Sequence, residues 1–425
     1  MTKNDDAWVK LFEDHDILNE IEEKGMYEIE SSEINLIRES RLMAKFDYKN
    51  QLPQIFKDNN LSILPISRGK YVISSFDVYH NLEEKTKEID NCVFPSYIES
   101  IDFNNIKSET QAINCAYITG IISDFLEDKE IYPTVEGRMT SGQFDFKILD
   151  TKSSQIFDLE IDNSQIEIDG AYEGLDFLSL FEAKIEYPEN FLVRQLYFPF
   201  RTLNDRVSKN IKNIFLVYSN GIYSLYEYVF ENKDCYNSLK LIKQKNYSII
   251  DGDIEIEDIE KIVDSIETIQ EPKIPFPQAD VFERVINLCE MLKENRLSAE
   301  QITQEYSFDR RQSGYYTSAG VYLDLIEKIS DNGTIVYQLT QRGNRIFNLN
   351  LKERQLDLVK CILEHEVFLN IIKLWFRKAS PPSKNEIVEN MKKIDIYNIE
   401  SESTYKRRSS TVKRWVEWIL QLRNI

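Results

Sequence analysis

The sequence predicts a multidomain α+β or α/β protein, in which a mixed sheet flanked by helices is followed by helix-rich modules. Three observations predict this class. The chain of 425 residues is long enough for two or three domains. A hydrophobic content of 42%, with 23 Tyr and 23 Phe, is typical of a folded protein. Strand-like and helix-like apolar patterns also alternate along the chain. The predicted domains span residues 1–95, 96–270, 271–350 and 351–425.

The first predicted domain combines a helix with a hairpin. Its start carries apolar residues at helical spacing, namely Trp8, Leu11, Phe12, Leu18 and Ile21. Two strand-like runs, 61–66 and 71–76, then flank the turn Arg68-Gly69-Lys70. This basic turn is either a plain hairpin tip or a contact to a nucleic-acid backbone.

The second predicted domain opens with a long helix within 106–148, which strands follow. Ser108 suits the N-cap position of this helix. Glu109 lies in its first turn, where a negative charge interacts favourably with the helix dipole. Further along, Arg138 lies in a loop-like stretch and is a candidate phosphate contact.

Residues 165–184 predict a β-hairpin in which the chemistry of the chain would be concentrated. Two apolar arms flank a turn that contains glycine. If this turn is a four-residue loop, Asp169 lies opposite Glu182, and Glu167 lies opposite Lys184. Because directly opposed residues share one face of a sheet, three carboxylates and one ammonium group would meet there.

Such a patch is unfavourable unless something binds it, because crowded carboxylates repel and raise one another's pKa. Carboxylate oxygens are the ligands that Mg²⁺ prefers, and a Mg²⁺ site commonly uses only one or two of them. The remaining positions are left for water and substrate phosphate. The patch therefore indicates metal-assisted phosphodiester cleavage, although in a chain that is 29% charged such spacing also arises by chance.

The rest of this domain completes the mixed sheet. A helix-like segment at 190–199 carries Gln195 and leads to two strong strand patterns at 211–218 and 222–230. The residues between these strands are Ser219-Asn220-Gly221, and Asn-Gly between two apolar runs is a strong hairpin sequence.

The composition argues against several classes of protein. The five cysteines lie far apart without a Cys-x-x-Cys pair, and none of the three histidines forms a metal-ligand pair, so neither a zinc site nor a disulfide framework is indicated. No phosphate-binding Gly-x-x-x-x-Gly-Lys-Ser/Thr motif occurs. No apolar run is long enough to cross a membrane and the start lacks signal-peptide features, so we expect a cytoplasmic protein.

The net charge of −20 argues at first against nucleic-acid binding, which depends on neutralising phosphates. The distribution of the charge changes this conclusion. From Lys273 onward, 24 Lys+Arg and 20 Asp+Glu give a net charge of +4. Subtraction from the totals of 52 and 72 leaves 28 and 52, a net charge of −24, in the preceding part. The acidity is therefore concentrated in the first two-thirds of the chain.

A winged helix-turn-helix is predicted for 271–350, which begins with a proline-rich joint. The predicted order is a helix from 279 to 293, a helix at 299–305 capped by Ser298, a turn at 307–309, a third helix from Arg310 to Ile326, and a strand at 334–340. In this fold the third helix enters the major groove by its N-terminal residues, where Arg and Gln suit guanine and adenine edges. The predicted DNA-binding residues are Arg310, Arg311, Gln312 and Tyr315. The alternative is an aromatic core helix with an exposed basic end.

The tail, residues 351–425, repeats this pattern in weaker form. A helix that begins at Ser383 is followed by basic and hydroxyl residues at the start of an apolar-faced helix. Such residues would suit phosphate contacts and some base recognition. We predict a second helix-turn-helix module, in which the DNA contacts are Lys406, Arg407, Arg408, Thr411, Lys413 and Arg414. A merely solvated basic face is the alternative.

The central hairpin resembles the core of the PD-(D/E)XK nucleases, in which a strand carries Asp and an apolar strand after a turn ends in Glu-x-Lys. The matching residues here are Asp169, Glu182 and Lys184. The proline of the motif is absent, since Ile168 precedes the aspartate. Asp145, in another strand-like segment, is therefore a rival for the first carboxylate.

Two further residues match features of this family. The next helix often carries a glutamine, which corresponds to Gln195. In some members a glutamate enters the metal site from the helix before the core sheet, and Glu109 would take that role. The alternative for Glu109 is only its favourable placement at the helix dipole.

The order of domains resembles type II restriction endonucleases that join such a core to C-terminal winged helices. The resemblance is carried by 37–47 with 61–66, by 182–184 with 194–197, and by 406–412. It implies sequence-specific, Mg²⁺-dependent cleavage of double-stranded DNA that leaves 5′-phosphate and 3′-hydroxyl ends. It also implies a cognate DNA methyltransferase as the genetic partner that protects host DNA.

In the implied mechanism, Asp169, Glu182 and the carbonyl of Ala183 would hold Mg²⁺, while Lys184 would orient or activate the attacking water. A homodimer, or monomers acting in succession, would cut both strands. Two other functions stay open. One is a non-enzymatic DNA-binding regulator with an inert core, and the other is a structure-specific DNA repair nuclease that cuts without fixed sequence ends.

Overall fold

A computed structural model describes residues 3–86, 88–249, 254–305, 310–331 and 333–422 of the protein. The chain divides into two compact units. Unit one consists of Met1–Lys85, Ser108–Val217 and Ser224–Lys245, and unit two of Thr86–Lys107, Tyr218–Tyr223 and Asn246–Ile425. Helices and several sheets alternate in the described ranges, so the predicted α+β class is confirmed.

The N-terminal part of the chain consists of short helices and strands. They are α1 Lys3–Asp14, α2 Ile17–Lys24, β1 Tyr27–Glu30, α3 Ser31–Asn35, α4 Ser40–Met43, α5 Gln54–Asp58, β2 Ser62–Ser67, β3 Lys70–Ser74, β4 Tyr79–Asn81 and β5 Ile89–Cys92. The predicted hairpin at 61–76 is present as antiparallel β2 and β3. The predicted first helix is two helices, because Asp16 adopts a φ of 50°. This break leaves Leu18 exposed, so the prediction that it joins the apolar face is wrong.

The central part supplies most of the strands. They and their helices are α6 Glu109–Ile118, α7 Ile121–Leu126, β6 Tyr132–Pro133, β7 Gly137–Thr140, β8 Gln143–Leu149, β9 Ile156–Asp162, β10 Gln165–Ile168, β11 Gly170–Glu173, β12 Phe177–Lys184, β13 Asn190–Leu192, α8 Arg194–Asn204, β14 Asn210–Ser219, β15 Ile222–Phe230 and β16 Leu239–Ile249. The helix predicted after residue 106 is divided at Gly120, whose φ is 79°. The helix predicted for 190–199 starts only at Arg194, because β13 pairs with β4.

The strands of unit one form two main sheets. The larger sheet contains, in order, the neighbouring strands β16, β15, β14, β12, β11 and β6. Strand β12 pairs antiparallel with β11 and parallel with β14, and α8 forms the crossover between β12 and β14. This sheet is therefore mixed, as predicted. The second sheet has the order β1-β3-β2-β9-β8.

Unit two is mostly helical. The remaining elements are α9 Ile256–Ser265, α10 Phe282–Glu294, β17 Leu297–Ser298, α11 Ala299–Glu305, α12 Arg310–Tyr322, β18 Ile326–Asp331, β19 Thr334–Leu339, α13 Gln341–Ile346, α14 Leu351–Leu363, α15 Glu366–Lys378, α16 Lys384–Met391 and α17 Glu402–Gln421. Strands β17, β19 and β18 form an antiparallel sheet. Helix α12 ends at Tyr322 instead of the predicted Ile326, because Asp324 has a φ of 55° and β18 then begins. The turn predicted at 307–309 lies outside the described residues. Within the described ranges, each helix is too short or too polar to cross a membrane.

Candidate active site

The candidate site lies where β11 and β12 diverge. Residues 170–173 pair with 178–181, so a four-residue loop joins the strands and the predicted register is confirmed. Continued by one position, this register places Asp169 opposite Glu182. Asp169 itself lies between β10 and β11, at the point where the strand breaks.

A backbone contact orients the first carboxylate. The Oδ2 atom of Asp169 accepts a hydrogen bond of 2.9 Å from the N–H of Ala183. In a strand, the N–H and C=O of one residue point to the same side. The carbonyl of Ala183 therefore faces the edge that carries Asp169, beyond the end of the ladder with β11.

A buried ammonium group lies at the centre of the site. The Nζ atom of Lys184 is 2.5 Å from Oε1 of Glu182 and 3.3 Å from Oε1 of Glu109. Both Lys184 and Glu182 are buried, with exposures of 7% and 6%. The amide of Gln195, on α8, donates to Oε1 of Glu182 at 2.6 Å. Helices α6 and α8 therefore both bring a side chain to the end of β12.

Burial controls the charges of these groups. It raises the pKa of Glu182 to about 8, with Asp169 and Glu109 adding to the effect and Lys184 opposing it. Burial also raises the pKa values of Asp169 and Glu109, again against the attraction of Lys184. For Lys184, burial favours a lower pKa, but Glu182, Glu109, Asp47 and Asp169 outweigh it and raise the pKa well above its usual value. Lys184 is therefore charged at neutral pH.

Three residues that the sequence analysis did not identify also belong to the site. Glu186 is 7% exposed, and burial raises the pKa of its carboxyl to about 7, while a hydrogen bond with Tyr48 and the charge of Lys184 lower it. Asp47 interacts electrostatically with both Lys184 and Glu186. The strand period of two, continued from Glu182 through Lys184, was a signal for Glu186. No local pattern connects Asp47 and Tyr48 to the hairpin.

Glu167 does not join the cluster, so the prediction that it lies opposite Lys184 is wrong. The strand breaks at Asp169, and β10 pairs with β7 instead of β12. Glu167 is consequently opposite Arg138, with 3.2 Å between the Nε and Oε1 atoms. The candidate phosphate contact at Arg138 thus forms an ion pair at the surface.

The structure separates the two rivals for the first carboxylate. Asp145 is exposed on β8, which belongs to the second sheet. Its carbonyl accepts a hydrogen bond from Arg201. Of the two aspartates, Asp169 is the one that contacts the end of β12, through the N–H of Ala183.

The predicted DNA-binding residues of the third helix lie at the start of α12. The side chains of Arg310 and Arg311 are outside the described residues. Gln312 and Tyr315 are half-buried. Tyr315 also interacts electrostatically with Arg408 of α17.

The tail residues divide between two faces of α17. The exposed ones are Lys406, Arg407, Lys413 and Arg414, which repeat at a spacing of seven and share one face. Arg408 is buried, and burial lowers the pKa of its guanidinium to about 10. Thr411 is 1% exposed, and its hydroxyl donates to Asp280 at 2.5 Å. The predicted DNA contact of Thr411 is therefore not at the surface, because this face of the helix packs inward.

The oxygen atoms at the end of the hairpin are of the kind that bind a hard cation such as Mg²⁺. The described part of the chain contains no group of three or more His, Cys, Asp or Glu side chains arranged to hold a metal ion. Asp169, Glu182 and the carbonyl of Ala183 nevertheless supply hard oxygen donors, and Mg²⁺ sites commonly need only one or two protein carboxylates.

Comparison with known proteins identifies domains without an assigned role. Residues 5–73, 74–248 and 284–424 match three families, each described as a domain of unknown function (DUF6996, DUF6997 and DUF7226). The second match includes the hairpin, α8 and Glu109, whereas Asp47 and Tyr48 fall within the first. No curated protein and no solved structure gave a significant match.

Proposed function

We propose that the protein is a Mg²⁺-dependent nuclease of the PD-(D/E)XK kind that cuts double-stranded DNA as a type II restriction endonuclease does. One observation carries this proposal: a buried Lys184 ammonium is held between Glu182 and Glu109, beside an aspartate that the neighbouring backbone orients. Buried groups with strongly perturbed pKa values cluster at functional sites.

Different residues of the site would bind the metal and stabilise the transition state. Asp169, Glu182 and the Ala183 carbonyl would hold Mg²⁺, which when bound supplies Lewis-acid polarisation of the phosphoryl group. Lys184 would orient the attacking water and stabilise the negative charge that develops on the phosphorane. Its carboxylate partners keep it protonated, so it acts as a charge rather than as a free base.

Two contacts hold the catalytic groups in position. Gln195 donates to the Glu182 oxygen that Lys184 also contacts, which limits rotation of the carboxylate. Glu109 reaches Lys184 from the first turn of α6, whose N-cap is Ser108. Fixed side chains of this kind place reacting groups before the substrate arrives.

Features of unit two support DNA as the substrate. The order α10, β17, α11, α12, β18, β19, with an antiparallel three-stranded sheet, supports the predicted winged helix-turn-helix. The N-terminal residues of α12 would then enter the major groove, and the exposed basic face of α17 would contact phosphates. A cognate methyltransferase and a homodimer, in which each copy cuts one strand, are parts of the same proposal.

Plasmid cleavage tests this function. We expect discrete fragments with Mg²⁺ and none with EDTA, and sequencing of the ends should give one recurrent site with 5′-phosphates. Lys184→Ala should reduce the cleavage rate by at least about 100-fold, as expected for the loss of a group that stabilises developing charge. Its affinity for duplex DNA should stay within about twofold of the parent, because the group is buried below the surface.

A matched pair of aspartate variants completes the test. Asp169→Asn should lose Mg²⁺-dependent cleavage, whereas Asp145→Asn should retain it. A mobility shift without any breaks would instead support a DNA-binding regulator. Breaks without a recurrent sequence would support a repair nuclease, and full cleavage by the Lys184 variant would refute the mechanism.

A further inference from the structure

The segment Lys45–Lys49 has an alternating burial pattern although it lies outside any sheet. Phe46 and Tyr48 are buried, with exposures of 5% and 4%. The intervening Asp47 is half-buried, and Lys45 and Lys49 are exposed. Two aromatic anchors therefore hold the segment, and its two lysines are exposed.

The main chain of this segment is attached beside the candidate site. The carbonyl of Asp47 accepts a hydrogen bond of 3.0 Å from the N–H of Leu192. The N–H of Lys49 donates to Oδ1 of Asn190 at 2.7 Å. Both partners belong to β13, which directly precedes α8 and its Gln195. The position of the segment relative to the catalytic groups is therefore set by the fold.

The cluster next to this segment is strongly acidic. Its carboxyl groups are Asp47, Glu109, Asp169, Glu182 and Glu186, and its buried cation is Lys184. The ionised carboxylates among these groups repel an approaching DNA phosphate. An exposed positive charge beside the cluster would offset this repulsion.

Lys45 has the position and exposure for that role. Its ammonium lies 3.6 Å from Oδ2 of Asp47, and 70% of its side chain is exposed. It also interacts electrostatically with Asp169. A lysine is a mobile point charge that binds phosphate without a fixed geometry.

We propose that Lys45 contacts the DNA phosphate next to the scissile one, and that Lys45–Lys49 positions the DNA backbone over the acidic cluster. This inference rests on the proposed nuclease function, since it assigns a substrate contact to the same site. It gives the N-terminal part of unit one a direct role in substrate binding.

Binding to a fluorescent duplex of about 30 base pairs and random sequence, in EDTA, tests the contact without catalysis. Lys45→Ala should weaken binding about fivefold and reduce the slope of log affinity against log salt by about 0.9, the value for one lost phosphate contact. Lys10→Ala, which removes an exposed lysine from α1, is the matched control and should change neither quantity. Equal behaviour of the two variants would overturn the proposal.

Kinetics provide an independent measurement. In Mg²⁺, Lys45→Ala should raise KM about fivefold with kcat within about twofold, and Lys45→Arg should restore KM because it keeps the charge. Duplex binding that depends on Lys45, without cleavage under any condition, would refute the nuclease function and support the contact. Cleavage that is unchanged in Lys45→Ala would overturn the contact and leave the nuclease intact.

Discussion

Among single residues, the buried charges determine the behaviour of the site. Lys184 is stable as an ammonium only because carboxylates surround it, and they in turn depend on its charge. Glu186 is less well compensated, since its Oε2 atom is buried without a hydrogen-bond partner among the described residues. A buried acid of this kind is stabilised by a proton or by a cation.

The raised pKa of Glu186 leads to a prediction about stability. Burial raises this pKa from 4.5 to about 7. Between these two pH values, the carboxyl of Glu186 holds a proton in the folded protein and releases it in the unfolded chain. Stability in EDTA should therefore fall as the pH rises through that window. Glu186→Gln, which stays neutral, should be more stable than the parent at pH 8 by about 1–3 kcal/mol, and equal to it near pH 4.5.

Urea denaturation of both proteins at the two pH values measures this difference. Glu23→Gln, which removes an exposed carboxylate from α2, is the control and should change the stability by less than about 0.5 kcal/mol, as surface substitutions usually do. A Glu186→Gln variant that is destabilised equally at both pH values would show that the carboxyl acts through packing or hydrogen bonding instead of through its charge.

At the scale of elements, the break between β10 and β11 determines which carboxylates reach the site. An uninterrupted strand would have placed Glu167 opposite Lys184. Because β10 turns to pair with β7, Asp169 becomes the last residue at the edge and its side chain meets the Ala183 N–H. The helices on either side, α6 and α8, then contribute one polar side chain each.

Two glycines provide a prediction about backbone conformation. A Cβ atom added to Gly120 or to Gly314 would meet nothing within 4 Å. They differ in backbone conformation, because Gly120 has a φ of 79° between α6 and α7, whereas Gly314 lies inside α12. Gly120→Ala should cost about 1–2 kcal/mol through the left-handed conformation. Gly314→Ala should stabilise α12 by about 0.5–1 kcal/mol.

Thermal unfolding of the full chain compares these variants. The melting temperature should fall for Gly120→Ala and rise for Gly314→Ala. Shifts in the same direction would contradict the assigned backbone conformations, since steric space is equal at the two positions.

At the scale of the whole molecule, the distribution of charge reconciles an acidic protein with the polyanionic substrate that we propose. The net charge is −20, yet the chain from Lys273 onward carries +4. Four of the positive side chains counted there lie close together on the exposed face of α17. Local charge of this kind, rather than net charge, determines where a duplex binds.

A double variant on α17 tests this electrostatic contribution. Lys406→Ala with Arg407→Ala should weaken duplex binding to a similar degree for every sequence, and the salt slope should fall by about 1.8, or about 0.9 for each phosphate contact. Lys384→Ala with Lys393→Ala removes the same charge elsewhere in the tail and should leave the slope nearly unchanged. A loss confined to one DNA sequence would instead assign base recognition to this face.

Local features of the sequence determined the central hairpin. A four-residue loop and a side-chain period of two are sufficient to set the register that places Asp169 opposite Glu182. The cap of α6 by Ser108 and the Asn-Gly turn before β15 were predicted for the same reason. These features depend on neighbours a few residues apart, so a single sequence contains all the information needed.

Only the tertiary structure decided which distant groups complete the site. Asp47 and Tyr48 reach the cluster because the main chain at 47–49 bonds to β13, more than a hundred residues later in the chain. Thr411 is buried because its face of α17 packs inward, where the hydroxyl donates a hydrogen bond to Asp280. Such contacts depend on how distant elements pack together. They produce no periodic pattern in the sequence of either segment. For this reason, the sequence predicted the strand that carries the candidate site, and the fold supplied the residues that surround it.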